Sequence, residues 1–239
     1  MTNTTKNWKA DHLRVSIFST RIIQESVESI YETVTGVLPA DINQKPATGE
    51  SIATGIFDEL RFEVRRSFNR VDFIIQPIPL PTLQVSLISD LESCIKKLKQ
   101  TTYKYIGNKD DLIRIAFGGN HLYEVENPVE AYKKLSSLTG QNFIFGKHKD
   151  VIFQINIPSK STAKPGLSIN RLTNWVSPTI TINQISESTA SKTHFFCGCV
   201  ADFNTDAENK STFEPKYLEP IIEELALEML TFVQSGVSL

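Results

Sequence analysis

The chain of 239 residues has only three cysteines, an odd number without framework spacing, which excludes a disulfide-stapled fold and suits a reducing compartment. It has no apolar run near the roughly 18 to 20 residues that span a bilayer as a helix. The opening MTNTTKNWKADH is polar and lacks an apolar signal-peptide core, so the expected location is cytoplasmic, without membrane association. It lacks strong charge of either sign. A net charge of −2 gives no global attraction to nucleic acid or to an anionic surface. Neither a G-x-G-x-x-G turn nor a G-K-[ST] phosphate loop occurs, so no nucleotide or other cofactor is expected. No internal repeat or low-complexity tract stands out.

What is present is a pattern of strands and helices. Hydrophobic residues make up 40% of the chain, enough for one large core or two modest ones. Leu60 to Gln76, LRFEVRRSFNRVDFIIQ, reads as a hairpin. Pairing Arg65 with Arg70 across the tip sets Val64 against Val71, Phe62 against Phe73 and Leu60 against Ile75 on one apolar face. Leu13–Phe18 alternates as a strand, and Ile22–Thr35 reads as a helix stopped by Gly36. Leu38–Glu50 reads as a loop and Ile52–Phe57 as a strand beside the hairpin. Pro77, Pro79 and Pro81 end that sheet. They place a boundary between an amino-terminal α+β lobe (1–81) and a carboxyl-terminal one (82–239).

Further elements are expected at Ile88–Thr101 (helix), Asp111–Val125 (one or two strands broken at Gly118-Gly119-Asn120) and Pro128–Leu138 (helix). Strands are expected at Asp150–Ile157, Ser177–Ile185 and Lys192–Asn204, with a loop at Lys160–Gly166. The last helix carries Leu218, Ile221, Ile222, Leu225, Met229, Leu230 and Val233 on one face, with Pro215 and Pro220 at or before its first turn. Strand runs followed by single helices predict an α+β fold of antiparallel sheets with packed helices.

The stretch DDLIRIAFGGNHLYEVENPVEAYKKL (Asp110–Leu135), the strand end HFFCGCVADFNTD (His194–Asp206) and the terminal amphipathic helix carry a likeness. With these features, residues 88–239 resemble a sporadically distributed bacterial family of uncharacterised proteins described as related to the export chaperone SecB. The resemblance implies a SecB-like antiparallel sheet packed by helices and binding of unfolded or extended polypeptide. It implies no catalytic residues.

Candidate sites follow from local chemistry. Arg65, Arg66, Phe68 and Arg70 gather arginines and an aromatic at the hairpin tip, the chemistry of a protein contact or of nucleic-acid stacking. Solvated pairing with Glu59, Glu63 and Asp72 is the competing reading, and the acidic balance weighs against nucleic acid. Asp202, Asn204 and Asp206 imitate the start of a calcium loop. Ala207 then replaces the turn glycine and Phe213 the bidentate glutamate, so no metal site is expected. Cys197 and Cys199 share a strand face, His194 points to the other, and no histidine is spaced to activate a thiol. The favoured reading is a noncatalytic protein- or peptide-binding module, chaperone-like or a subunit of a bacterial or phage assembly, and self-associating. The alternatives are an enzyme with a site near Asp202 and His194 (joined by Asp206 and Arg114) and a nucleic-acid contact through the Arg65–Arg70 tip.

Overall fold

The structure is a computed structural model that describes residues 8–107, 109–184, 190–209 and 211–235. It is an α+β protein. Among the described residues, eleven strands form one sheet and four helices pack on it. The first half runs β1 (Trp8–Ser19), α1 (Val27–Thr35), β2 (Asp41–Lys45), β3 (Glu50–Phe57), β4 (Leu60–Ser67), β5 (Arg70–Gln76) and α2 (Leu91–Ile106). The second runs β6 (Leu112–Val125), α3 (Pro128–Thr139), β7 (Phe153–Asn156), β8 (Ser159–Lys160), β9 (Ser168–Val176), β10 (Thr179–Gln184), β11 (Ala190–Thr205) and α4 (Pro215–Gln234). The expected strand end at Ile185 lies outside the described residues.

Strand order is β2-β3-β4-β5-β1-β6-β11-β9-β7, with β10 on β11 and β8 on β9, and all these pairings are antiparallel. Each half repeats one plan. A long strand is followed by a helix and a meander, and the last strand returns beside the first before a closing helix. Thus β5 pairs β1 and β11 pairs β6, while α2 packs on β1 and β5 and α4 on β6 and β11. The halves meet where β1 pairs β6. This repetition lies in arrangement and not in residue identity, so the sequence does not display it. The segments on either side of Pro77–Pro81 share this one sheet, and the repeated plan divides after α2.

All four helices lie on one face of the sheet. Leu13, Val15 and Ile17 of β1, Val71, Phe73 and Ile75 of β5, Phe117 of β6 and Phe203 of β11 are buried there with Leu98 of α2 and Leu218, Ile221 and Leu225 of α4. Alternation sends the intervening residues to the other face, which carries no helix.

Several boundaries depart from expectation for identifiable reasons. Helix α1 starts at Val27, with Ser26 as its cap, and not at Ile22. The Ile23 N–H donates to the Phe68 carbonyl (2.7 Å) and the Ile23 carbonyl accepts from Arg66 (2.9 Å), so this segment is bound to the hairpin tip. Helix α2 starts at Leu91, capped by Asp90, because Ile88 exchanges two backbone hydrogen bonds with Ala10 (2.7 and 3.0 Å). Strand β6 runs unbroken through Gly118-Gly119. A Cβ on Gly119 would stand 2.6 Å from Leu13 Cδ2 and one on Gly118 3.0 Å from the Ala201 carbonyl oxygen, so glycine permits close strand approach here and makes no turn. Residues 38–50, expected as a loop, contain β2, and β9 had no counterpart among the expected strands. Pro220 lies inside α4, beyond its first turn, where it removes one helical donor.

The hairpin register also differs. Arg65 pairs with Asp72, Val64 with Phe73, Phe62 with Ile75 and Ser67 with Arg70, leaving the two-residue tip Phe68-Asn69. This is a slip of two residues from Arg65 opposite Arg70. An even slip leaves every apolar residue on the same face, so alternation cannot distinguish the two registers.

Candidate binding surfaces

The expected contact residues remain at the β4–β5 tip, but three of the four are engaged within the chain. Arg65 Nη2 donates to Glu63 (2.8 Å) and its Nε stands 3.4 Å from Glu50. Arg66 bonds the Ile23 carbonyl, and Arg70 Nε donates to Asp72 (2.7 Å). Glu63 and Asp72 are buried carboxylates that these guanidiniums neutralise. Phe68 is 60% exposed and lies over Gly49, whose absent side chain leaves room for the ring.

The helix-free face sets charged, amide and hydroxyl side chains among small and apolar ones. One row crosses Arg65, Asp72, Ser16, Ala116, Asn204 and Asn170; the next crosses Glu63, Ile74, Arg14, Gly118, Asp202 and Leu172. Phe18 sits between the guanidiniums of Arg70 and Arg114, at 5.2 and 5.1 Å from its ring centroid. Asp202 pairs with Arg14 (3.6 Å), and Asn204 links Asp202 to Arg114 through its side chain (3.0 and 3.1 Å). Asp206 accepts from the Glu208 N–H as a turn cap. No cluster of three metal-ligating side chains occurs among the described residues.

His194 does not join Asp202. The two lie eight positions apart on β11, about 26 Å along an extended strand. His194 is buried, with Nδ1 against Glu124 (2.7 Å) and Nε2 against the Leu83 carbonyl (2.7 Å), tying the proline segment to the sheet. Cys94, Cys197 and Cys199 are all buried. Burial pushes the Cys94 thiol up to about 11 and the Cys197 thiol to about 12, the opposite of activation. A cleft of about 570 Å³ opens between the proline segment and α2, lined by Leu60, Ile78, Leu80, Ile88, Asp90 and Lys97. Lys97 there stands 3.5 Å from the Asp58 carboxylate.

His121, which no sequence signal marked, is fully buried between the sheet and Phe232 of α4, and neither ring nitrogen has a hydrogen-bond partner. Burial drives its pKa down to about 4, against a smaller upward pull from Asp11.

The two ends of the strand order expose unpaired backbone. Strand β7 pairs β9 alone, and the Ile157 N–H donates to the Arg171 carbonyl (3.1 Å) in the same register. Antiparallel alternation then directs the N–H and C=O of Gln154 and Asn156 away from β9. No hydrogen bond among the described residues engages those groups. Phe153, Ile155 and Ile157 form an apolar row beside them on the helix-bearing face, Phe153 and Ile155 half-buried and Ile157 39% exposed; Ile152, on the other face, is 69% exposed. Strand β2, at the other end, is exposed at all five residues and polar except for Ile42. The Lys45 ammonium donates to Glu50 (2.8 Å) and holds that carboxyl below its usual range.

The stretch VIFQINI is recognisable as a strand from alternation alone, whereas its place at an edge depends on the order of the other strands. Comparison of the chain with protein-family models, with curated proteins and with solved structures finds no match. No helix among the described residues is long and apolar enough to cross a membrane.

Proposed function

We propose that the protein is a noncatalytic binding module that takes up polypeptide in extended form and self-associates. The observation that carries this reading is the β7 edge, where outward-facing backbone groups of Gln154 and Asn156 run beside the apolar row Phe153, Ile155 and Ile157. An extended segment with apolar residues at alternate positions satisfies both features by adding a strand, since the ladder supplies affinity and the row selects side chains. An uncovered edge of this kind otherwise favours aggregation. The likeness of residues 88–239 to the SecB-related family points the same way. Catalysis has less support: the thiols are buried and His194 stands far from Asp202.

The test is fluorescence-anisotropy titration of a labelled extended peptide with alternating valines, and of a reduced, carboxymethylated unfolded protein. Both are expected to bind reversibly, and Gln154→Pro is expected to abolish binding without unfolding the chain. Proline removes an outward donor that β9 does not use. Absence of binding by either probe, with no effect on aggregation of unfolded clients, overturns the proposal.

A further inference from the structure

Strand β2 has the opposite character from β7. Its sequence Asp41-Ile42-Asn43-Gln44-Lys45 carries an acid at one end and a base at the other, and nothing else in the described chain covers it. A lysine on an edge strand ordinarily discourages strand pairing, because its charge goes unmatched. Self-pairing removes that objection. If two copies align antiparallel about Asn43, Asp41 of each lies directly opposite Lys45 of the other, and Ile42 lies opposite Gln44.

The neighbouring charges extend the match. Arg65, Glu50 and Lys45 already form an alternating chain across β4, β3 and β2, at 3.4 and 2.8 Å. Asp41 of a second copy supplies the next member with the required sign. The same register sets Leu38 beside the Pro46–Gly49 turn of the other copy. Leu38 and the adjacent Val37 are 63% and 51% exposed although they lead directly into the edge. Shifting the register by two residues in either direction loses the facing charge pairs. A parallel alignment of identical strands sets Asp41 against Asp41 and Lys45 against Lys45.

We infer that the β2 edge binds a second copy of this chain by antiparallel β2–β2 pairing centred on Asn43, making one continuous sheet with a β7 edge at each end. This edge is the surface for the self-association proposed above, and its pairing does not depend on polypeptide uptake at β7. Five residues and a flanking turn are a small contact beside the roughly 1,600 Å² of a standard interface, so the dimer is reversible and concentration-dependent.

The experiment is sedimentation velocity on the full chain over a wide concentration range, with Asp41→Lys, Lys45→Asp and their equimolar mixture. Each single variant sets like charges opposite one another twice, and its dimer dissociation constant is expected to rise roughly tenfold or more. The mixture is expected to dimerise again, because the two lysines on the edge of an Asp41→Lys chain then face the two aspartates on the edge of a Lys45→Asp chain. Circular dichroism checks that both variants fold, and peptide binding at β7 is measured on the same samples. A wild-type chain that stays monomeric to millimolar concentration overturns the inference, as do single variants that dimerise like the wild type. Weakened variants whose mixture does not recover overturn the Asp41–Lys45 register. Retained peptide binding in any of these cases leaves the β7 reading standing.

Discussion

The two edges of the sheet differ in side-chain character although both end one ladder. At β7 the outward backbone groups run beside Phe153, Ile155 and Ile157, an apolar row without charge. At β2 they run beside Asp41, Asn43 and Lys45, a polar row with an acid at one end and a base at the other. Unpaired backbone is common to both, so the side chains beside it distinguish the polypeptide uptake proposed for β7 from the self-pairing proposed for β2.

The largest expected effect strikes the frame that holds both edges. Phe73 is fully buried and stacks at 6.4 Å on Phe62, with Tyr105 of α2 at its edge. Phe73→Ala is expected to cost about 3–5 kcal/mol in urea unfolding and to weaken β2 and β7 functions together. A loss confined to one edge would mean that the sheet does not behave as one cooperative unit.

Acid comes next. His121 has a folded-state pKa near 4, below the ordinary 6.5, so its contribution to stability is fully present above 6.5 and is lost as pH falls towards 4. The cost near pH 4 is about 3 kcal/mol. His121→Leu is expected to flatten this part of the stability–pH profile measured by urea titration. An unchanged profile would assign acid sensitivity to other groups.

Further substitutions separate the edges from each other and from the hairpin tip. Ile157→Lys is expected to weaken peptide binding at least tenfold, while folding stability moves by no more than about 0.5 kcal/mol and self-association is unaffected. At the hairpin tip the two kinds of substitution diverge. Arg70→Glu leaves the buried Asp72 without its partner and is expected to cost about 3 kcal/mol in thermal unfolding, so it reports on folding. Phe68→Ser, at an exposed ring, is expected to change stability by about 0.5 kcal/mol or less, and it is the substitution that tests the tip as a contact. If Phe68→Ser leaves every partner bound, the tip acts only in the fold.

Much of the fold was legible because apolar alternation and helical spacing are local. The hairpin strands, the strand before α1, the caps at Gly36 and Gly140 and the amphipathic face of α4 all follow from neighbours within a few positions. The α+β class with antiparallel sheet followed from their order. Strand β9 was missed because Ser168–Val176 mixes Asn and Arg with apolar residues, and β2 because it is short, polar and next to prolines. The hairpin register escaped because alternation settles parity and not pairing.

The binding surfaces are a different matter. The arginines of the tip and two of their acids, Glu63 and Asp72, could be read in the sequence. Glu50 was brought to Arg65 only by the pairing of β3 with β4, and Glu59 makes no such pair among the described residues. VIFQINI and DINQK could be read as short segments, but nothing local shows that they end the sheet on opposite sides. By itself the sequence determined which residues face the core, since burial follows a period of two or 3.6 along the chain. Only the tertiary structure decided which strands have no neighbour, because an edge is defined by the absence of a strand that would have to come from elsewhere in the chain.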